Sequence, residues 1–221
     1  MRNLFLEFKD YKPKKRKIPL DKITASEEEK IQELIKAYDK CIKQVKEKKQ
    51  ETEVECWSYP PLKWIYTNIE QCIKDIQYGT YEIQQVLSQV NNAPDLGILG
   101  LFISVLCSRV KEKEIVLHLQ NEKLRFLGYG LPIGKKLIIH GDLGDYVGTE
   151  LNGGELIVEG NVGNWAGANM RVGKLIVTGN AGAWVGNNMT NGEIYIEGVL
   201  YSAGDRKGGE IFNKKMGEAQ D

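Results

Sequence analysis

Net charge and long apolar runs are both missing from this 221-residue chain. Thirty Lys and Arg residues balance thirty Asp and Glu residues, which argues against a partner bound mainly through charge, such as duplex DNA or an anionic membrane. No apolar stretch approaches the roughly 20 residues of a transmembrane helix. The opening MRNLFLEFKD is too short and too acidic for a secretory signal. We therefore expect a cytoplasmic protein that binds neither nucleic acid nor membrane.

Residues that commonly carry chemistry are also scarce. The two histidines, His118 and His140, form no H-x-H or H-x-x-x-H pair, and the four cysteines lack a C-x-x-C pair, so metal-ligand spacing is absent. The chain has no G-x-S-x-G and no G-x-G-x-x-G motif, and Lys174 is followed by Leu175 where a phosphate loop needs Ser or Thr. The sequence predicts no catalytic, cofactor-binding or metal site. Reduced thiols are expected at Cys41, Cys56, Cys72 and Cys107.

Glycine is nearly absent from the first 95 residues, where Gly79 stands alone among the 24 glycines of the chain. From residue 137, glycines recur at the same places in three contiguous units of equal length, 137–155, 156–174 and 175–193. A fourth unit, 194–210, is two residues shorter. One short strand per unit at such a period is typical of a solenoid, in which each coil stacks on the one before.

Each unit opens with a four-residue strand, and these strands read LIIH, LIVE, LIVT and IYIE. The first and third positions are apolar in every unit, so we expect them to face the interior. The second position faces outward and forms an apolar column of Ile138, Ile157, Ile176 and Tyr195. A contiguous apolar row on an outer face predicts that something covers it. The candidates are the N-terminal helices, a protein partner and a second copy of the chain.

Glycines within the units follow the spacing G-x-x-G-x-x-x-G, which predicts either left-handed backbone or close approach between coils. Aromatic residues at equivalent positions are expected to stack as a ladder packed between coils, within segments that should form a second strand. Asp142, Asn161 and Asn180 form a column that can hydrogen-bond along the axis. The repeat residues are Gly141, Gly144, Gly148, Gly160, Gly163, Gly167, Gly179, Gly182 and Gly186, with Tyr146, Trp165 and Trp184 as the aromatic ladder.

These tandem units resemble the C-terminal domain of the large subunit of glutamate synthase. They are equally similar to the β-helical subunit of formylmethanofuran dehydrogenase. The resemblance is strongest over 137–193, extends more weakly through LGILGLFISVLCSRV, EIVLHLQ and KLRFLGYGLP, and covers about 96–212. It implies a right-handed parallel β-helix with a structural role, which packs among the catalytic modules of an oxidoreductase and holds no cofactor. This chain departs from the pattern in having fewer coils, and Tyr201 replaces the middle glycine of its fourth unit.

The sequence pattern of the N-terminal half predicts four helices. Amphipathic patterns span 26–49, 61–79 and 81–90, and the segment 95–108 is apolar on nearly every side, as in a buried helix. Ser26 is the expected start of the first helix, and Gly79 is the expected end of the second. Because the exposed end of a repeat stack needs an atypical cap, these helices should plug the β-helix.

The predicted fold is therefore α+β, a helical region followed by a short right-handed, single-stranded parallel β-helix with 19-residue coils. Its parts are an extended basic arm at 1–25, a helical domain at 26–110, the β-helix at 111–212 and a polar tail at 213–221.

Two functions remain open at this point. The resemblance favours a non-catalytic structural or assembly protein associated with an oxidoreductase complex, with formylmethanofuran dehydrogenase ahead of glutamate synthase. A protein partner or a second copy would then dock on the outward apolar column. The alternative is an independent enzyme or small-molecule-binding protein with its site between the helical domain and the β-helix. Trp57, Tyr59, Trp64 and Tyr66 would line that site.

Overall fold

The computed structural model describes residues 25–52, 61–90, 95–120 and 123–214, so the predicted basic arm and most of the polar tail lie outside the described residues. The described helices are α1 (Ala25–Thr52), α2 (Pro61–Ile73), α3 (Thr80–Gln89) and α4 (Leu96–Arg109). The described strands are β1 (Glu114–His118), β2 (Lys136–His140), β3 (Asn152–Glu159), β4 (Val172–Val177), β5 (Glu193–Ile196) and β6 (Glu210–Asn213). The strands form one parallel sheet in chain order. A helical region followed by a β-solenoid of about five turns confirms the predicted fold class.

The interior of the solenoid follows the predicted alternation. Leu137, Leu156 and Leu175 lie opposite one another in neighbouring strands and are fully buried. Burying each such side chain contributes about 1.5–3 kcal/mol. The buried column continues into the helical region as one apolar core. The two parts of the chain therefore share a core, and neither buries its apolar face alone.

The coil length changes at both ends of the stack. Neighbouring strands from β2 to β5 pair residues 19 apart, except at the start of β3, where Asn152 pairs with Val172. Glu114 of β1 instead pairs with Lys136, three positions beyond the partner that the regular repeat would give it. At the other end, Glu193 of β5 pairs with Glu210, two positions short of the regular partner. The regular repeat thus covers the central coils, and the terminal coils reach the same pairing with different lengths of chain.

The repeat glycines meet both predicted needs, at different positions of the motif. A Cβ at Gly163 would lie 2.4 Å from Asp145 Oδ1 and 2.8 Å from the Gly144 carbonyl carbon, so the coils approach too closely for a side chain. Gly167 has φ +67, a left-handed conformation that favours glycine. The middle glycine therefore permits close stacking, whereas the last glycine permits a turn.

The second strand predicted within each coil is absent from the described coils, and this expectation is wrong. The segments around Tyr146, Trp165 and Trp184 are turns, because these residues have φ of 63, 64 and 61. Left-handed backbone of this kind interrupts a strand. Backbone hydrogen bonds still join these turns between coils, such as Trp165 N–H to the Ala183 carbonyl and Gly186 N–H to the Ala166 carbonyl, both at 2.8 Å.

The helices cap the first coil, as the sequence predicts. A Cβ at Gly100 would fall 1.8 Å from the Arg125 carbonyl oxygen, so glycine allows α4 to press against the first coil. The buried Ser104 hydroxyl of α4 accepts the Gly128 N–H at 2.9 Å. These contacts close the N-terminal end of the apolar interior.

Gln84 of α3 protects the open edge of β1. Its Nε2 donates to the His118 carbonyl at 2.9 Å, and its Oε1 accepts the His118 N–H at 2.8 Å. The side-chain amide thus takes the place of a neighbouring strand, and an exposed sheet edge otherwise invites pairing with another chain.

One predicted helix boundary is wrong, and another differs by one residue. Among the described residues, helix α1 begins at Ala25, one residue before the predicted start at Ser26. Helix α2 ends at Ile73, and Gly79 instead precedes α3, where its N–H donates to the Glu82 carboxylate at 2.9 Å. Glycine punctuates the chain here as predicted, but at the start of a helix, where a carboxylate three residues on satisfies a free N–H.

The close approach at the middle glycine predicts a large loss of stability on substitution. We expect Gly163→Ala to lower the free energy of unfolding by about 3 kcal/mol, because the new Cβ overlaps the neighbouring coil. Gly130→Ala is the control, since a Cβ there meets nothing within 4 Å and only the φ of +61 is unfavourable. Its cost should be about 1 kcal/mol. Equal losses in urea-induced unfolding would contradict the stacking argument.

Candidate interface on the outer faces of the solenoid

The outward apolar column is longer than the sequence indicates. Strand register places Val116 beside Ile138 at one end and Phe212 beside Tyr195 at the other. The four predicted members are nearly buried within the single chain, with exposed fractions of 0, 5, 3 and 6% in the order Ile138, Ile157, Ile176 and Tyr195. Phe212 is 37% exposed. The column therefore opens most at its C-terminal end.

The apolar stripe of α2 does not cover this column, which corrects one of the expectations. Ile65, Ile69 and Ile73 are buried in the main core together with the solenoid interior. The outward column forms a separate apolar cluster. Helix α2 therefore packs on the main core, while the members of the outward column pack on one another and on Val116.

A charged column flanks the apolar column on one side. Lys136 Nζ lies 3.8 Å from Glu114 and 4.0 Å from Glu155, and Lys174 Nζ lies 3.4 Å from Glu193. Each of these contacts joins opposite charges, whereas Glu193 and Glu210 lie opposite each other at the C-terminal end of the column and carry like charges. Exposed pairs of this kind contribute little to stability individually.

Tyr195 joins the apolar and the charged columns. Its hydroxyl donates to Glu193 at 3.0 Å, and Lys174 Nζ lies 5.0 Å from its ring centroid. Burial, together with the hydrogen bond to Glu193, raises the pKa of Tyr195 to about 12. The phenol therefore stays protonated and remains a hydrogen-bond donor at neutral pH.

On the other side, two imidazoles stack at the start of a polar column. The rings of His118 and His140 are 4.5 Å apart and nearly parallel. His140 Nδ1 lies 2.6 Å from Glu159 Oε2, as predicted from their shared column. Burial lowers the pKa of His118, and the neighbouring His140 adds to that effect. Both histidines therefore belong to one side-chain stack at the C-terminal ends of β1 and β2.

The stacking of the aromatic ladder is confirmed, but the rings lie on the outside of the solenoid and not packed inside it. The centroids of Tyr146 and Trp165 are 5.9 Å apart, those of Trp165 and Trp184 are 5.4 Å apart, and the planes lie within 12°. Tyr146 and Trp165 are half-buried, and Trp184 is 48% exposed. Stacking on ring faces therefore leaves the ring edges in solvent.

Phe126 extends the ladder by one ring that the sequence does not reveal. It stacks on Tyr146 at 4.8 Å, and the Arg125 guanidinium lies 5.6 Å from its ring centroid. Counted back from Tyr146, the regular period points to Leu127, one position after the phenylalanine. A strict repeat therefore misses this ring.

Asp and Asn side chains link successive coils along one corner. Asp142 Oδ1 accepts the Asn161 N–H, Asn161 Oδ1 accepts the Asn180 N–H, and Asn180 Oδ1 accepts the Val199 N–H, each at 2.8 Å. The predicted ladder is thus confirmed, and its hydrogen bonds run mainly from backbone N–H groups to side-chain oxygens. One further hydrogen bond joins two side chains, from Asn161 Nδ2 to Asp142 at 2.9 Å.

A second ladder runs parallel to the first one. Asp145 Oδ1 accepts the Asn164 N–H, and Asn164 Oδ1 accepts the Ala183 N–H, both at 2.8 Å. Asp142 and Asp145 therefore hold a coil corner, as the sequence indicates. Between the two ladders lies a groove of about 720 Å³, lined by Lys123, Asp142, Asn161, Val162, Asn164, Asn180, Ala181, Gly182, Ala183, Val199 and Tyr201.

The aromatic residues proposed for a site between the two parts of the chain only partly meet there. The Tyr66 ring packs on Tyr129 of the first coil at 5.5 Å, and Trp64 is 38% exposed. Trp57 and Tyr59 lie outside the described residues. Tyr66 thus serves as packing between α2 and the solenoid.

The described cysteines are free thiols. Cys107 is buried in α4, and burial raises its pKa to about 12. Burial also raises the pKa of Cys41. A thiol with a raised pKa is a poor nucleophile, in agreement with the predicted structural role of both residues.

Comparisons with known proteins return no match to any family profile, curated protein or solved structure. Among the described residues, no three His, Cys, Asp or Glu side chains converge in an arrangement that could hold a metal ion. None of the described helices combines the length and the apolar character needed to cross a membrane. The likeness to the glutamate synthase and formylmethanofuran dehydrogenase repeats remains a resemblance of the repeat units.

The position of each ring in the ladder predicts how much its removal costs. Trp165 stacks on both faces, so Trp165→Ala should lower the free energy of unfolding by about 2 kcal/mol. Trp184 stacks on one described ring and is 48% exposed, so Trp184→Ala should cost about 1 kcal/mol. Chemical denaturation followed by circular dichroism measures both. A loss at Trp184 that equals or exceeds the loss at Trp165 would show that stacking does not stabilise the ladder.

Proposed function

We propose that this chain is a non-catalytic assembly subunit of an oxidoreductase complex. The resemblance of its repeat to the β-helical subunit of formylmethanofuran dehydrogenase, and next to the C-terminal domain of glutamate synthase, supports this function. In both families the repeat domain packs among catalytic modules. In this chain the solenoid would present its outer surface to a catalytic partner, while the helices close its N-terminal end.

The contrast between the two ends of the sheet carries the proposal. Gln84 occupies the edge of β1, whereas β6 is the last strand of the sheet in the described residues. Phe212 of β6 extends the apolar column and is 37% exposed, although its ring stacks on Tyr195 at 4.7 Å. A sheet edge next to an apolar side chain is a surface on which a partner can add a strand.

Packing of Tyr66 on Tyr129 favours this function over a small-molecule site between the two parts of the chain. The two rings contact each other directly at the boundary where a ligand would have to lie. The helices and the solenoid also share one apolar core, and such packing suits an assembly role.

Co-purification tests the proposal. The tagged full chain, produced in its native host, should carry a subunit with a visible redox-cofactor absorption that bleaches on chemical reduction. Phe212→Glu should reduce the recovered partner at least tenfold, because a charge at the proposed contact must be desolvated. Ile133→Glu is the control: Ile133 is 84% exposed, and its substitution should leave recovery unchanged.

A third variant separates loss of the interface from loss of the fold. Ile157 is only 5% exposed within the chain, so Ile157→Glu should lower stability by several kcal/mol. Phe212→Glu should keep the parental melting temperature within a few degrees. The proposed function would be contradicted if no redox partner co-purified with the parent chain. It would also be contradicted if the Phe212→Glu variant recovered as much of the partner as the parent chain does. A third contradicting result would be that the purified chain binds nucleotides or formyl compounds in thermal-shift assays and co-purifies with no partner.

A further inference from the structure

The groove between the two Asp and Asn ladders, called here the Asx groove, has polar groups that the ladders do not use. One oxygen of each ladder side chain is fixed by a backbone N–H of the next coil. Within the described residues, the remaining Oδ2 of Asp142 and Nδ2 of Asn164 and Asn180 make no hydrogen bond. These side chains are exposed, so an acceptor and two donors face the groove.

The ladders hold these groups in a fixed order. Coils stack at about 4.8 Å, so the groove spans roughly 19 Å from the coil of Lys123 to that of Tyr201. Since each Oδ1 is already bonded, rotation of the side chain would break an inter-coil hydrogen bond. The groove therefore presents preorganised donors and acceptors at regular intervals, an arrangement that lowers the entropic cost of binding.

An aromatic side chain stands at one end of the Asx groove. Tyr201 takes the place of the middle glycine of the repeat, and its side chain is 80% exposed. Beside it, Val199 is 51% exposed. An aromatic ring that contributes so little to the core requires another explanation than packing.

We propose that the Asx groove binds a neutral oligosaccharide. Amide and carboxylate groups exchange hydrogen bonds with sugar hydroxyls, which act both as donors and as acceptors. The Tyr201 ring offers its face to the C–H groups on the apolar side of a pyranose ring. A linear saccharide would lie along the coils, with successive hydroxyl groups meeting successive ladder residues.

Charge and backbone pairing favour a neutral saccharide over other ligands. Lys123 and Asp142 are the charged residues that line the groove, and their charges offset each other, which disfavours an anionic chain. Val162 and Ala181, which line the groove, pair with each other between coils, and Ala181 also pairs with Leu200 of the next coil. The backbone there is engaged, so a peptide could not add as a strand.

Isothermal titration of the full chain with cellohexaose, maltohexaose, fully N-acetylated chitohexaose and hexagalacturonate tests this inference. At least one neutral hexasaccharide should bind with a Kd of about 1 mM or tighter. Tyr201→Ala should weaken that binding about tenfold, since it removes one stacking platform. Asn164→Asp should weaken it about fivefold. That variant exchanges one donor for an acceptor and keeps the oxygen that bonds Ala183.

Asn169→Asp is the matched control. Asn169 is an exposed amide at another corner of the coil, and its variant should bind the saccharide as the parent does. Parental melting temperatures for all three variants would show that the groove itself is intact. Absence of binding to every neutral saccharide, binding of hexagalacturonate alone, or binding that Tyr201→Ala and Asn164→Asp leave unchanged would overturn the inference. None of these outcomes depends on whether an oxidoreductase partner co-purifies.

Discussion

The close approach of successive coils at the first glycine of each unit governs the rest of the solenoid. A Cβ at Gly160 would lie 2.4 Å from the Gly141 carbonyl oxygen, one at Gly179 would lie 2.5 Å from the Gly160 carbonyl oxygen, and Gly198 repeats the pattern. Only glycine lets the backbones meet at this distance. Once this contact is made, the register of every other residue in the regular coils is fixed, because equivalent residues of successive units must then lie one above the other.

This fixed register converts single residues into columns. Leucines stack on leucines inside, aromatic rings stack on aromatic rings outside, and the Asp and Asn side chains each bond the next coil. The aromatic column requires Trp165 and Trp184 to adopt left-handed φ. This backbone strain destabilises the fold by about 1–2 kcal/mol for each residue. Ring stacking offsets about as much at Trp165, which stacks on both faces, and less at Trp184, which stacks on one described ring. The turn is therefore stabilised by its neighbours, which explains why the strain recurs in every regular coil.

Periodicity made the interior, the glycines and the ladders predictable from the sequence. Each of these features depends on a residue type that recurs at equivalent positions, so the same prediction is supported by several units of the sequence. Phe126, Val116 and Phe212 were missed as members of their columns because the first coil is longer and the last coil shorter than the regular ones. The turn at Trp165 was predicted as a strand because aromatic residues favour strands, and sequence does not show the sign of φ. The end of α2 was missed because its apolar pattern continues beyond Ile73 without a helix.

The departures from the repeat are also where candidate functions concentrate. A solenoid of identical coils would present the same surface along its whole length and could not bind a partner at one place. Here Tyr201 of the fourth coil stands where the other coils have a glycine, and the shortening of that coil after Tyr201 brings Phe212 to the last strand of the described sheet. Both are large apolar side chains that stay exposed in the described chain, at 80 and 37%. The regular coils supply the rigidity that holds ladder groups in line, and the irregular coil supplies the chemical difference at one end. One replaced glycine and the loss of two residues in the same repeat therefore make one end of an otherwise uniform stack different from the rest.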